Sequence, residues 1–422
     1  MTNSLSLRLA VVLASSLFMQ CFKTYQGNNE RHGNFPVTPN LNHALSLTKS
    51  MDFNGHDLSY IAIYADAPEY APVEAIGEGI ACVDDVGRFL EVLSVEFRSR
   101  PELLETIRGL TRYLLVFINT DGTWYNFLQT DGTINRSHKN SLAGFDWWAV
   151  RGLRGLSASW EVFSPMPEEQ AIAREIRRAL LTSIPHIEQI TEKYPEMTSG
   201  HGGARPGWLL EDAPDKTSEL LLAVVRMHKN GLHDFSKQIN ILAEGLTGWQ
   251  FVDSGHELNG MYFCWNNIWH GWGSNQPLAL VQAYSINGKP EILESVKIWA
   301  DNFVPYLIGT RFPSSVTIDD SGHCLVEHYP QIAYGINSVY QGIRRLAELT
   351  GEKRYYQFSE DVFSWYTGSN SSGVAMYDPR TGRCYDGINS ADDVNYNSGA
   401  ESTVECLQSI QTRRMQHDNS IR

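Results

Sequence analysis

Apolar residues recur at helical spacing along most of the chain beyond residue 80. Segments rich in apolar and small residues begin near Asp84, Asp146, Asp215, Asn275, Ile336 and Asn397. They are spaced roughly sixty residues apart, and more charged amphipathic segments such as "PELLETIRGLTRYLLVF" lie between them. A repeated pair of one apolar and one amphipathic helix is typical of architectures that bury each pair against its neighbours. The pattern therefore predicts an all-α protein built from helical hairpins.

The loop lengths predict that these hairpins close into an (α/α) toroid barrel of six or seven pairs. The apolar helix of each pair is expected to face the axis, and the amphipathic helix is expected to face solvent. Short loops join the two helices of a pair. The segments that join successive pairs are long, at 118–144, 193–214, 250–274, 308–332 and 367–396. All of these would emerge at one rim, and ordered loops of that length usually carry function. A plain helical solenoid is the alternative.

The pattern places one catalytic barrel domain at 52–413, followed by a C-terminal tail at 414–422. Residues 52–80 are expected to cross the rim in extended form before the first inner helix. The N-terminal segment 22–51 contains "LNHALSLTKSM", a helix that would pack on the barrel and complete a sixth pair or belong to a seventh.

Residues 1–21 are typical of an export signal, because Arg8 is followed by an apolar run too short for a confident transmembrane helix. The signal could end at the small residues 14–16 or at a lipidated Cys21. Gln20 stands where lipoprotein signals usually have a small residue. A buried N-terminal helix is the alternative. The export interpretation predicts a periplasmic or outer-membrane-associated protein, with Cys21 as the candidate lipid anchor.

One stretch departs from the helical pattern. Residues 264–276, "CWNNIWHGWGSNQ", collect three tryptophans, three asparagines, a histidine and a glutamine directly before the fourth inner helix. Aromatic faces can stack on the apolar faces of sugar rings, and amides and imidazoles bind hydroxyl and carboxylate groups. The stretch therefore predicts a carbohydrate-binding cleft at the rim.

The other rim loops repeat this mixture, and nearly every one carries a cation beside an aromatic residue. The predicted substrate-binding residues are Trp124, Tyr125, Asn126, Arg136, Lys139, His201, Arg205, Trp208, His256, Asn266, Trp272, His328, Tyr334 and Arg380. For any one of them, ordinary loop packing is the simpler explanation. The formal net charge of −14 argues against nucleic acid as a partner. Cations gathered at one rim of an acidic protein indicate an anionic polysaccharide or oligosaccharide.

A uronate chain can be cut by β-elimination, which needs neutralisation of the sugar carboxylate, a base and an acid. Tyr329 is the predicted proton-transfer residue, with His270 as its partner. Asn267 and Arg311 are the predicted carboxylate-neutralising residues. Tyr334 competes with Tyr329, but it lies at the start of a helix, where packing is expected. The six cysteines form no C-x-x-C pair and no zinc spacing. Elimination by these residues requires neither a metal nor an organic cofactor, so none is expected.

The stretch from Asn266 to His270 is similar to the Asn-Asn-His motif of toroid alginate lyases, although their histidine directly follows the asparagines. With "GEGIACVDDVGR", "AYGINSVYQG" and "NSGAEST", most of residues 52–412 resembles secreted α/α-barrel polysaccharide lyases of the alginate- and glucuronan-cleaving group, polysaccharide lyase family thirty-eight. This resemblance implies a barrel of six or seven pairs and an elimination mechanism that uses histidine and tyrosine.

A toroid glycoside hydrolase is the alternative, and that class needs two carboxylates flanking the bond. The candidates are Asp84 or Asp85, Asp146, Asp212, and Asp392 or Asp393. However, Asp84, Asp146 and Asp215 begin inner helices, where a carboxylate is most simply a cap or a partner of the helix dipole. A non-catalytic carbohydrate-binding protein is the second alternative.

Overall fold

The computed structural model describes residues 38–319 and 321–420. Its α-helices are α1 (Asn42–Leu47), α2 (Val83–Glu96), α3 (Leu104–Phe117), α4 (Trp147–Phe163), α5 (Gln170–Leu181), α6 (Ile184–Glu192), α7 (Pro214–Lys229), α8 (Ser236–Gly248), α9 (Gln276–Asn287), α10 (Pro290–Ile298), α11 (Val304–Gly309), α12 (Ala333–Thr350), α13 (Lys353–Phe363) and α14 (Ala400–Ser420).

Six of these helices form a closed ring. Helices α2, α4, α7, α9, α12 and α14 each pack against the next, and α14 packs against α2. Outside them lie α3, α5 with α6, α8, α10 with α11, and α13, while the short α1 packs against α14. The predicted α/α toroid is therefore confirmed, with six inner helices in the described chain. Each inner helix begins within about three residues of the position that the apolar pattern predicts.

Glycines let the first two inner helices approach closely. A Cβ atom on Gly155 of α4 would lie 2.6 Å from the Cα atom of Gly87 in α2, and one on Gly87 would lie 2.5 Å from the carbonyl oxygen of Arg151. Gly152 is pressed in the same way against the indole of Trp124. Side chains at these positions would force the two helices apart, so the small residues determine how tightly the ring closes.

Short antiparallel strands occupy the N-terminal segment and the rim loops. They are β1 (Thr48–Phe53), β2 (His56–Ile61), β3 (Tyr64–Asp66), β4 (Ala71–Val73), β5 (Ala81–Cys82), β6 (Phe127–Leu128), β7 (Met197–Gly200), β8 (Gly203–Pro206), β9 (Ile268–His270), β10 (Ser315–Ile318), β11 (Cys324–Glu327), β12 (Gln331–Ile332), β13 (Tyr377–Asp378), β14 (Arg383–Cys384), β15 (Gly387–Ser390) and β16 (Asp393–Asn395). The helix expected in "LNHALSLTKSM" ends at Leu47, and β1 begins at the next residue, Thr48. The β1–β2 hairpin begins at Thr48 and runs into the region 52–80, which also contains the β3–β4 hairpin.

Within the described ranges, the helices lack the combination of length and apolar composition that a membrane span requires. The expected export signal at 1–21 and its candidate lipidation site, Cys21, lie outside the described residues.

Candidate functional site

The N-terminal ends of the six inner helices point to one rim, together with the long loops that precede them. We call this end of the toroid the mouth. Its polar side chains come from different helices: Asp84 and Arg88 from α2, Arg151 from α4, Glu219 from α7 and Tyr334 from α12. Residues far apart in the sequence therefore meet near the axis.

These five residues form a layer across the ring, which we call the polar layer. Arg151 donates from Nη1 to Asp84 Oδ1 at 2.8 Å and from Nη2 to the Tyr334 hydroxyl at 2.6 Å. The Tyr334 hydroxyl in turn donates to Glu219 Oε1 at 2.9 Å. The guanidinium of Arg88 lies 4.6 Å from the centre of the Tyr334 ring. Buried ionic groups of this kind are stable only when each is paired, and here the partners come from other inner helices.

The surrounding charges set the protonation states in the layer. Burial alone would raise the pKa of Glu219, but Arg154 and Arg151 outweigh burial and lower the pKa to about 2. Burial raises the pKa of the Tyr334 phenol far above its usual value, so this tyrosine is neutral and acts as a donor. Burial also raises the pKa of Glu405, on α14 beside Arg88, to about 7.

A buried histidine lies at the mouth. His270 is 2% exposed, and its Nε2 atom lies 3.0 Å from Asp215 Oδ2. Burial opposes the charged imidazole, but Cys264 and Asp215 outweigh burial and raise the pKa of His270 to about 10. Its Nδ1 atom is buried and has no hydrogen-bond partner among the described residues. His270 is therefore a cation near neutral pH with one unused donor.

Three tryptophans surround this histidine. The His270 ring stacks on Trp272 at 3.7 Å, and its centroid lies 4.6 Å from that of Trp265. Trp147 lies 6.2 Å from Trp272, and the guanidinium of Arg151 lies 4.6 Å from the Trp147 ring. Because Trp272 is 39% exposed, this cluster presents an aromatic surface to solvent directly above the polar layer.

Local backbone geometry holds the tryptophan segment in place. Strand β9 pairs with β10, so that His270 lies opposite Ser315. Gly273 has a φ of 73°, and a Cβ atom there would lie 3.3 Å from the Tyr334 hydroxyl. Gly271 and Gly335 also approach closely, since a Cβ atom on either would lie 3.3 Å from the other's Cα atom. The glycines in "WHGWG" thus let the loop lie directly against α12.

The structure brings three of the predicted site residues together at the mouth: His270, Trp272 and Tyr334. Tyr329 is linked to this segment through Ser314, which donates from its hydroxyl to the Tyr329 carbonyl oxygen at 3.1 Å. The Ser314 carbonyl oxygen accepts from the Gly271 backbone N–H at 2.9 Å. The Tyr329 backbone therefore lies next to the loop that carries His270.

The two predicted carboxylate-neutralising residues have other surroundings. Asn267 donates from its side-chain amide to the Ile318 carbonyl oxygen at 2.7 Å, so this amide holds the loop before α9 to strand β10. Its neighbour Asn266 is exposed, with a φ of 45° in a tight turn. Arg311 is also exposed, with a φ of 59°, and its carbonyl oxygen accepts from Gln331 at 2.7 Å.

Several predicted binding residues hold the fold instead of facing the mouth. Trp124 is completely buried, and Trp208 donates from its indole to the Ile241 carbonyl oxygen at 3.0 Å. Asn126 is buried, and its side-chain oxygen accepts from the Val83 backbone N–H at 3.0 Å. Arg205 donates to the carbonyl oxygens of His201, Gly248 and Gln250.

The remaining predicted residues are spread over the rim. Arg136 lies over the Tyr125 ring at 4.2 Å, and the His201 ring lies 5.3 Å from that of Phe263. His256 is half-buried, with Nδ1 accepting from the Leu258 backbone N–H at 3.1 Å. Lys139, His328 and Arg380 are exposed. Arg380 pairs with Asp378 at 3.2 Å, so the predicted cations do not form one cluster around the tryptophans.

Six residues of the mouth were not predicted as site residues: Arg88, Trp147, Arg151, Lys216, Glu219 and Trp265. Lys216 is buried and bonds to Asp146, which caps α4, and to Glu211, which lies in the loop before α7. The sequence did contain one signal for some of these residues, which is a spacing of four residues at the helix starts. Trp147 and Arg151 lie four residues apart at the start of α4, and Asp215 and Glu219 do the same in α7, so each pair shares one helix face.

Among the described residues, one group has the composition of a metal site. The donor atoms of Asp215, Cys264 and His270 lie within 4.8 Å of one another, and all three residues are buried. Sulfur, imidazole nitrogen and carboxylate oxygen are ligand types that zinc accepts.

These features define an α/α toroid with an aromatic and charged mouth. No protein-family model matches the chain, and no curated protein sequence matches it. Solved structures with the same fold include a cellobiose 2-epimerase from Bacillus thermoamylovorans, with a TM-score of 0.63 and 12% identity over 88% of this chain and 96% of that one. The Spirochaeta thermophila cellobiose 2-epimerase has a TM-score of 0.59 and 14% identity, covering 86% and 91% of the two chains.

A third similar structure is a family 76 glycoside hydrolase from a bovine Bacteroides thetaiotaomicron strain. Its TM-score is 0.54, with 10% identity over 89% of this chain and 76% of that one. At such low identity these likenesses establish the fold, and the chemistry of the mouth has to be argued from this chain's own residues.

Proposed function

We propose that this protein is a carbohydrate-active enzyme whose substrate binds at the mouth. The observation that carries the proposal is the aromatic surface of Trp147, Trp265 and Trp272 around the buried, charged His270. Flat aromatic faces suit sugar rings, and buried donors suit their oxygen atoms. The epimerases and the glycoside hydrolase that share the fold act on sugars by name, which supports the same substrate class here.

Within this class, we propose β-elimination on a uronate polysaccharide such as alginate or glucuronan. Proton removal next to a carboxylate becomes easier when a cation neutralises that carboxylate. His270 is a cation near neutral pH with an unused Nδ1 donor, and it would take this neutralising role. Tyr329, beside the same loop, would transfer the proton, and Asn266 at the exposed turn would contact the sugar chain.

Glycoside hydrolysis is the second candidate, and the carboxylates of α2 favour it. Asp84 faces the mouth, paired with Arg151. Burial raises the pKa of its neighbour Asp85 to about 6, and a raised pKa is a property of general acids. In this mechanism the substrate could be neutral, which would agree with the scattered positions of the predicted cations.

A panel of polyuronates and neutral glycans separates these reactions. Elimination creates an unsaturated uronate that absorbs ultraviolet light, whereas hydrolysis releases reducing ends without that absorbance. We expect absorbance with a polyuronate, and we expect His270→Ala to abolish it. His323→Ala is the matched control, because His323 is an exposed rim histidine. Reducing ends without absorbance, lost in Asp84→Asn, would establish the hydrolase.

We also propose that the protein is exported, because the polysaccharides that it would cleave lie outside the cytoplasm. We expect the mature protein in the periplasmic or outer-membrane fraction. Loss of membrane association in Cys21→Ala would identify the lipid anchor, and an unchanged soluble periplasmic protein would indicate a cleaved signal.

A further inference from the structure

The ring of inner helices encloses a cavity on the far side of the polar layer from the mouth. Its volume is about 310 Å³, and its lining extends from Arg88 and Asn337 to Lys229 and Arg345. Lys229 is the last residue of α7 and is exposed, so the cavity opens at the end of the toroid opposite the mouth. We call this cavity the lumen. Pockets for small molecules usually measure about 300–1,000 Å³, so the lumen is large enough for a small ligand.

The lumen is lined mainly by polar side chains. Six side-chain amides and five cationic side chains face it, against two carboxylates. Arg88, Arg154 and Arg226 pair with these carboxylates, which leaves Lys229 and Arg345 as the cations that they do not neutralise. Polar groups inside a protein cost free energy unless they are hydrogen-bonded, so interiors are normally filled with apolar side chains. A lumen with this lining is suited to a ligand that carries several hydroxyl or oxyanion oxygens.

Two donor groups at opposite ends of the lumen have unused capacity. The Nε and Nη1 atoms of Arg88, at the inner end, pair with carboxylates, but its Nη2 atom is buried and has no hydrogen-bond partner among the described residues. Lys229, at the open end, donates to the amide oxygen of Gln282 at 2.9 Å and forms no ion pair in the described chain. Burial, and then the charge of Arg345, lowers the pKa of Lys229. Arg345 keeps an ion pair with Glu348 at 2.6 Å, but its charge still opposes that of Lys229 across the opening. An anion beside the two cations would relieve that repulsion.

We propose that the lumen is a second ligand site, separate from the mouth, for a small anionic sugar. The oxyanion lies between Lys229 and Arg345 at the open end. The sugar hydroxyls extend inward toward the amides of Gln282 and Gln341, both of which line the lumen. Carboxylate and phosphate present the same oxyanion chemistry, so a sugar acid and a sugar phosphate are the two sources to be compared.

Isothermal titration calorimetry on the full chain tests this site with glucuronate, glucose 6-phosphate and neutral glucose. The test variant is Lys229→Gln with Arg345→Gln. The matched control is Arg177→Gln with Lys237→Gln, which removes the same charge from exposed positions on the outer helices. We expect at least one of the two anions to bind the native protein and the control variant with similar affinity. The same anion should bind the test variant at least tenfold more weakly. Glucose should bind the native protein far more weakly than this anion does.

The anion that binds more tightly identifies the source. Three results would overturn the proposal: no binding of either anion to the native protein, equal binding in the test variant, or equal binding of glucose. Trp272→Ala supplies an independent check, because it alters the mouth and leaves the lumen intact. Loss of anion binding in that variant would place the ligand at the mouth and refute a separate site. Because the readout is binding, it does not depend on which reaction the mouth performs.

Discussion

The imidazole of His270 lies flat against the indole of Trp272, with ring centroids 3.7 Å apart and 20° between the planes. One ring is almost completely buried, and the other is more than one-third exposed. The indole therefore forms the outer wall of the pocket that holds the charged imidazole. Because the exposed indole and the buried imidazole are in direct contact, Trp272 connects sugar binding with the proposed chemistry.

Removing the Trp272 indole should weaken substrate binding and leave the fold intact. We expect Trp272→Ala to raise KM about tenfold, because an aromatic contact contributes about 0.5–1.5 kcal/mol beyond its area and about 1.4 kcal/mol corresponds to a factor of ten. Steady-state kinetics gives KM, and circular dichroism checks the fold. Tyr396→Ala is the control, since Tyr396 is a rim aromatic of comparable exposure, at 47% against 39% for Trp272. An unchanged KM would remove Trp272 from the binding surface.

The pair of His270 and Asp215 should make stability depend on pH. The folded protein keeps the His270 proton to a pKa of about 10, whereas an unfolded histidine releases it near about 6.5. The stabilising contribution is therefore complete below about pH 6.5 and is lost as the pH rises toward 10.

Denaturant unfolding across this pH range measures the effect, with Asp215→Asn as the comparison. We expect the variant to be less stable near neutral pH and to lose less stability as the pH rises, because the carboxylate that helps Cys264 to hold the proton is gone. Other groups titrate in both proteins, so the difference between the two curves isolates the pair. Parallel curves would contradict the predicted coupling.

Phenylalanine variants of Tyr329 and Tyr334 should distinguish a role in proton transfer from a role in structural support. Tyr329→Phe should lower turnover by orders of magnitude with little change in substrate binding, because only the proposed proton-transfer hydroxyl is lost. Tyr334→Phe should mainly lower stability, since its hydroxyl joins Arg151 to Glu219 in the polar layer. Turnover and thermal unfolding of both variants check this. If Tyr329→Phe is active while Tyr334→Phe is stable but inactive, then Tyr334 is the proton-transfer residue and Tyr329 is not.

Close packing of the first two inner helices should be sensitive to a single methyl group. We expect Gly155→Ala to destabilise the protein by about 1–3 kcal/mol, because the added atom would meet the Gly87 backbone at 2.6 Å. Gly309→Ala should be close to neutral, since nothing lies within 4 Å of that position. Equilibrium unfolding of both variants gives the difference, and equal stabilities would refute the packing argument.

Much of the fold could be predicted from the sequence, because each inner helix carries its own periodic signal. The mouth was only partly predictable. "CWNNIWHGWGSNQ" was identified by its composition, but the carboxylate that pairs with its histidine comes from elsewhere in the chain. Asp215 is 55 residues away from His270, and Arg151 is 183 residues away from Tyr334. The four-residue spacing places Arg151 and Glu219 on a helix face with Trp147 and Asp215, but no local pattern shows which residues of other helices they meet.

Composition also misplaced some side chains, for a physical reason. Trp124 and Trp208 lie in rim loops with turn residues and cations around them, as surface residues would. In the structure these loops fold back, and each indole packs against a glycine of a neighbouring helix, Gly152 for Trp124 and Gly245 for Trp208. A glycine inside a helix was thus the sign that a large ring was buried there.

The contact between α14 and α2 has a consequence for how the chain is made. These helices are the last and the first of the ring, and more than three hundred residues separate Val83 from Ala400. During synthesis, the apolar faces of α2 and α12 that pack against α14 stay exposed until α14 has been made. A chain shortened by its last inner helix would leave an open arc with two apolar edges. Premature termination near the end should therefore yield insoluble protein, with no partly active barrel to recover.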